Sequence, residues 1–96
     1  VATEKERELI AEITSLAMDI GAGEYSAFVD YHGHIHGFDA RVSKKDARDY
    51  CYYAETVYLS GRTPTWTEKD SIPQLEDILH SIKKYHPAFD ADGVKL

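Results

Sequence analysis

The residues with the most chemical potential lie in one short run, Tyr31-His32-Gly33-His34-Ile35-His36. Imidazoles two residues apart on a β-strand project from the same face, so His34 and His36 are spaced to share a metal ion. Zinc sites recruit three or four protein ligands, and this reading therefore needs further donors from His32, Asp30, Cys51 or a distant helix. The phase of the segment offers a plainer alternative. His34 and His36 alternate in step with Phe38, Ala40 and Val42, whose side chains are those of a core. Histidines that pack or hydrogen-bond at the end of a hairpin fit that phase better, and metal binding by His32, His34 and His36 stands as the second reading.

Tyrosine is the other dense residue type, and Tyr50, Tyr52, Tyr53 and Tyr58 all fall in one segment. Aromatic rings on an open sheet stack bases in single-strand RNA binders, but such surfaces also carry positive charge. Here Arg41 and Arg48 stand against Asp30, Asp39 and Glu55, which leaves single-stranded nucleic-acid binding as a third reading. Tyrosines also anchor protein interfaces, where they bury apolar area and keep a polar tip wet. Patterns for catalysis are thin: the chain has no phosphate-binding glycine loop, H-E-x-x-H helix or nucleophile elbow. Cys51 lies in a β-rich segment with no helix N-terminus to acidify it. Neither an enzyme nor a cofactor is expected.

The formal net charge is -6, from 17 acidic and 11 basic residues, which works against general binding to nucleic acids or anionic membranes. No apolar stretch approaches the ~20 residues that span a bilayer, and no basic-then-apolar export signal is visible. With Cys51 the only cysteine, no intramolecular disulfide can form, and a reducing cytoplasm is the expected compartment.

The elements that would position these residues follow from the periodicity. Thr3 and Glu6 form a capping box, and Leu9, Ile10, Ile13, Leu16, Ala17 and Ile20 recur at helical spacing, which predicts a helix over about 4–20 with a left-handed stop at Gly21 or Gly23. From Glu24 the period falls to two, placing Tyr25, Ala27, Val29 and Tyr31 on one side of a strand and Ser26, Phe28 and Asp30 on the other. His32-Gly33 suits a tight turn into a second strand over about 34–42, and a polar loop over 43–49 leads to a third strand over about 50–59. Ser71, Pro73 and Gln74 predict a second helix from near Ile72, with Leu75, Ile78, Leu79, Ile82 and Tyr85 as its stripe. Pro87 ends it, leaving residues 88–96 as a tail to a single domain over 1–87.

The expected fold is therefore α+β, a two-layer α-β-β-β-α arrangement in which two helices cover one face of a three-stranded meander. The other face is left open, and Ile35, Gly37, Asp39 and Arg41 alternate toward it. Phe28, Asp30, Ile35, Asp39, Arg41, Tyr53 and Glu55 are the candidate partner-binding residues, although the phase of the third strand is ambiguous: Cys51, Val57 and Leu59 favour one side and Glu55 the other. The leading reading is a non-enzymatic protein-interaction module. Two sheet edges and an uncovered face also predict a homodimer, unless Asp39, Arg41, Glu55, Lys44 and Lys45 make them hydrophilic enough for a monomer.

Phe28-Val29-Asp30-Tyr31-His32-Gly33-His34-Ile35, running on to Phe38-Asp39-Ala40-Arg41-Val42, resembles short uncharacterised proteins of tailed phages and prophages. Those proteins carry an apolar-x-Tyr-x-Gly-His-apolar strand, an Asp-x-Arg-apolar strand and a tyrosine-rich strand ending as Val57-Tyr58-Leu59 does here, followed by a helix like that from Gln74 to Tyr85. The resemblance implies a small intracellular accessory protein without catalytic residues, with Tyr31, Gly33, His34, Asp39 and Arg41 in a shared hairpin. His36-Gly37 departs from that pattern. A phage context would make a host protein the partner.

Overall fold

A computed structural model of the protein describes residues 2–45, 47–89 and 93–96, and for residues 47–50 the backbone alone. The element order is that expected: α1 (Glu4–Gly21), β1 (Tyr25–His32), β2 (Gly37–Lys44), β3 (Ala47–Tyr58) and α2 (Glu68–Ile82), with a 3-10 turn over Lys83–Tyr85. The sheet is an antiparallel meander in the order β1-β2-β3. Ile13 and Ile20 from α1 and Ile72, Leu75, Ile78 and Ile82 from α2 close over Phe38, Ala40, Val42 and Val57 of the sheet. Both apolar helix stripes are thus spent on one sheet face.

Both halves of the Thr3–Glu6 capping box form. The far end of α1 departs from expectation, since Ala22 caps it in a right-handed conformation with φ −78° and neither Gly21 nor Gly23 has positive φ. A lysine makes the left-handed residue unnecessary. Lys45 reaches back from the β2–β3 turn, and its Nζ donates to the carbonyls of Gly21 at 3.1 Å and Gly23 at 2.9 Å, supplying a cation where the helix dipole favours one.

The first hairpin also differs. Tyr31 pairs with Phe38 rather than with His34, so the connection is the four residues Gly33–His36 and β2 begins only at Gly37. An even displacement preserves parity, which is why Phe38, Ala40 and Val42 still face the helices. His36 closes the turn with φ 49°, a left-handed conformation that histidine adopts more readily than most residues other than glycine. Its carbonyl accepts from the Leu59 N–H at 2.9 Å, and the Ile35 carbonyl accepts from Arg62 Nε at 3.1 Å. Contacts from the far end of β3, distant in sequence, hold the longer turn.

α2 starts at Glu68, capped by Thr67 and Asp70 and not by Ser71, so Pro73 lies inside the helix. The reason lies across the core. Ser71 is fully buried and its Oγ donates to Glu6 Oε2 at 2.6 Å, which leaves it no role as a cap. Glu6 is itself fully buried, and it also accepts from the Thr3 N–H (2.8 Å), the Ser60 N–H (2.9 Å) and Ser60 Oγ (2.5 Å). Neither lysine nor arginine pairs with it among the described residues. Burial pushes the Glu6 carboxyl up, but the hydrogen bonds from Ser60, Ser71 and Thr3 outweigh it and hold the group near 2, below the ordinary 4.5. In the tail, Phe89 and Lys95 form a β-bridge and the Leu96 N–H donates to the Ala88 carbonyl at 2.9 Å.

Because folding lowers the Glu6 pKa, its contribution is complete above about pH 4.5 and is lost as the pH falls toward 2. That shift corresponds to on the order of 3 kcal/mol. Urea unfolding followed across pH 2–7 should show this acid limb in the parent protein. Glu6→Gln should be less stable by roughly 2–4 kcal/mol at pH 7, with a much flatter acid limb.

Candidate functional site

The open face is built by parity from all three strands. β1 contributes Phe28, Asp30 and His32, and β2 contributes Gly37, Asp39 and Arg41, with Phe28 directly opposite Arg41 and Asp30 directly opposite Asp39. β3 adds Ala54 beside Arg41, Thr56 beside Asp39 and Tyr58 beside Gly37. Among the described residues, no helix covers this side.

At one end Phe28 is 46% exposed, with the Arg41 guanidinium 5.5 Å from its ring centroid. At the other end Arg62 lies 3.8 Å over the Tyr58 ring, a cation–π contact that also orients its Nε toward the Ile35 carbonyl. Ile35 is not on a strand: it sits in the turn, and its side chain lies with that of Tyr58 over Gly37, where a Cβ would approach Ile35 Cδ1 to 3.2 Å. Between these two arginine–aromatic pairs lies the acidic centre. His32 Nε2 is 2.6 Å from Asp39 Oδ1, and one donor atom from each of Asp30, His32 and Asp39 lies within 4.8 Å of the others.

The third strand resolves its ambiguous phase through a bulge. Val42 pairs with Tyr53 but Ser43 pairs with Cys51, so the register shifts across Tyr52 and the parity changes there. Beyond the bulge the strand alternates regularly, so Tyr53 and Glu55 share the parity of buried Val57 and lie on the helix-covered side, not on the open face. Burial pushes the Tyr53 phenol up to about 12; the nearby Ser81 hydroxyl opposes this, and Glu55, Asp77 and Tyr85 add to it. Among the described residues, the Tyr53 hydroxyl makes no hydrogen bond of good geometry, Ser81 notwithstanding. Tyr52 packs with Tyr25 and Tyr85, with centroids 5.6 Å and 6.0 Å away, rather than standing on a flat stacking platform. The Tyr50 side chain lies outside the described residues.

The histidines separate into three roles. His36 is committed to structure, since Tyr31 Oη lies 2.8 Å from its Nδ1 and the Ser60 carbonyl 3.0 Å from its Nε2. With both ring nitrogens engaged and the residue in a turn, it neither shares a strand face with His34 nor has a nitrogen free for a metal. His34 is exposed, its ring edge-on to His32 with centroids 6.3 Å apart. Only His32 joins the carboxylates. Arg62 and Trp66, whose Nε1 donates to the Tyr58 carbonyl at 2.5 Å, are the site residues that sequence reasoning missed. Their isolated positions in a loop carry no periodic signal.

The His36 contacts predict a graded response. In urea unfolding, His36→Ala should lose roughly 1–2 kcal/mol from its two hydrogen bonds, and His36→Gly should lose less, because glycine accepts the positive φ without strain. No protein-family model, no curated protein and no solved structure matches the chain.

Proposed function

We propose that the chain is a non-enzymatic protein-interaction module that engages a partner protein through its open sheet face. The observation that carries this reading is the pair of arginine-covered aromatic rings, Phe28 with Arg41 and Tyr58 with Arg62, at the two ends of an uncovered sheet. Arginine and aromatic residues are the types most enriched where interfaces concentrate their binding energy. Among the described residues, the groups with displaced titration are Glu6 and Tyr53; both lie away from this face, and Glu6 is held by structural hydrogen bonds. That is unlike a catalytic centre, where displaced titration and an accessible cleft coincide.

Strands of eight residues in β1 and β2, with β3 alongside, give a face of roughly 26 by 14 Å, on the order of 350 Å² in projection. A stable interface buries about 800 Å² on each partner. The partner therefore extends onto the flanking 61–66 loop or binds transiently. Self-association through the same face would set the Asp30–Asp39 pair of each copy against that of the other or leave it desolvated, which favours a different protein with a basic group for that centre. The resemblance to phage proteins supports a host protein in this role.

A photo-crosslinking residue placed at Phe28, and separately at exposed Glu8 of α1, tests the reading in a bacterial lysate. A discrete protein adduct is expected from position 28 alone, and its yield should fall at least ~10-fold in Arg41→Glu. Equal adducts from both positions, no discrete adduct, or a yield indifferent to Arg41→Glu would contradict it.

A further inference from the structure

Two carboxylates directly opposite each other on neighbouring strands repel, and such pairs destabilise a sheet unless a cation lies between them. Asp30 and Asp39 are so placed, yet no lysine or arginine pairs with either among the described residues. Arg41, the nearest arginine along β2, lies over Phe28 instead. The group that does reach them is a metal-ligating one, His32, two residues beyond Asp30 on β1 and on the same face, with Nε2 2.6 Å from Asp39 Oδ1.

We infer that Asp30, His32 and Asp39 form a binding site for a divalent first-row cation of the Zn²⁺ or Mn²⁺ type. The donor set is one imidazole nitrogen and two carboxylate oxygens, the ligand types that zinc and manganese accept, and it lacks the soft sulfur ligands that select Cu(I). Metal–ligand bonds of about 2.0–2.2 Å place neighbouring ligands of a tetrahedral ion about 3.4 Å apart. The present donors lie within 4.8 Å of one another, so small side-chain rotations on a fixed strand pair complete the geometry. The cation replaces the proton between His32 and Asp39, and two carboxylates balance its charge. Three protein ligands leave a coordination position for water or for a donor brought by another molecule. Asp30 is exposed and Asp39 half-buried, so the ion enters from the open face. The ion takes the place at the Asp30–Asp39 centre that the interaction reading gives to a partner's basic group, so the site is tested on the chain alone, with no partner present.

The test uses the full chain without a histidine tag, stripped with chelator and titrated calorimetrically with Zn²⁺ alone. Saturable one-to-one binding at sub-millimolar Zn²⁺ is expected. Outer-shell partners alone are worth about 10–100-fold in metal affinity, so His32→Gln and Asp30→Asn should each weaken binding by at least about 10-fold. Asp30→Asn changes an exposed side chain and keeps the test interpretable should His32→Gln perturb folding. His34→Ala, which removes the histidine beside the site, and Asp19→Asn, which breaks the other histidine–carboxylate pair among the described residues, should leave affinity unchanged. Mn²⁺ should broaden the amide resonances of Asp30, His32 and Asp39 before those of Asp19 and His86. Absence of saturable binding, a loss in His34→Ala or Asp19→Asn as large as in Asp30→Asn, or Mn²⁺ broadening centred elsewhere would overturn the inference.

Discussion

Glu6 accepts four hydrogen bonds in a site closed to water, and these bonds join three segments: the start of α1, the β3–α2 connection and the first half of α2. A carboxylate buried with no cation survives only if its oxygens are saturated, because an unsatisfied charge in the interior costs several kcal/mol. Saturation fixes the position of Ser60, whose N–H and hydroxyl both bind the carboxylate. The Ser60 carbonyl then bonds the His36 ring, and the His36 carbonyl takes the Leu59 N–H. By these steps a buried acid at the helix end governs the turn between β1 and β2.

The turn in turn sets the register, and the register decides which groups meet on the open face. With four residues in the connection, Asp30 stands opposite Asp39 and Phe28 opposite Arg41. A two-residue turn at His32-Gly33 would have kept the same side chains on the same faces but moved each by four residues along its neighbour, breaking both pairs. Core parity alone is therefore silent about the site, and the contacts from Leu59, Ser60 and Arg62 supply the missing constraint. The helices cover the other side of the sheet, so the face they leave open can accept changes in its side chains without changes in the core.

Much of this was legible in the sequence, and the exceptions share a cause. The Thr3–Glu6 box, the α1 stripe and the alternation in β1 are local patterns, and they mark those elements correctly. Ser71 and Gln74 look like a cap because the motif is local, whereas the carboxylate that claims Ser71 lies 65 residues earlier. His32-Gly33 looks like a tight turn for the same reason, while its competitor, the Leu59–His36 bond, is long-range. In β3 Glu55 shares the parity of buried Val57, so a phase that turned Glu55 outward had to conflict with one that buried Val57, and the bulge near Cys51–Tyr53 removes exposed Cys51 from the side it was expected to share with Val57. The histidine spacing singled out His34 and His36 as a pair, with His32 and Asp30 as further donors; both ring nitrogens of His36 are taken by Tyr31 and Ser60, and His32 is the histidine that meets Asp39.

The claim most exposed to refutation is that Glu6 controls the β1–β2 turn through Ser60 and His36. Native-state amide hydrogen exchange of Glu6→Gln, compared with the parent at pH 7, tests it residue by residue. Protection should be lost at Ser60 and, beyond the change in global stability, at the Leu59 N–H and the Ile35 and His36 amides of the turn. Loss confined to Ser60 and Ser71, with Leu59, Ile35 and His36 protected as in the parent, would contradict it.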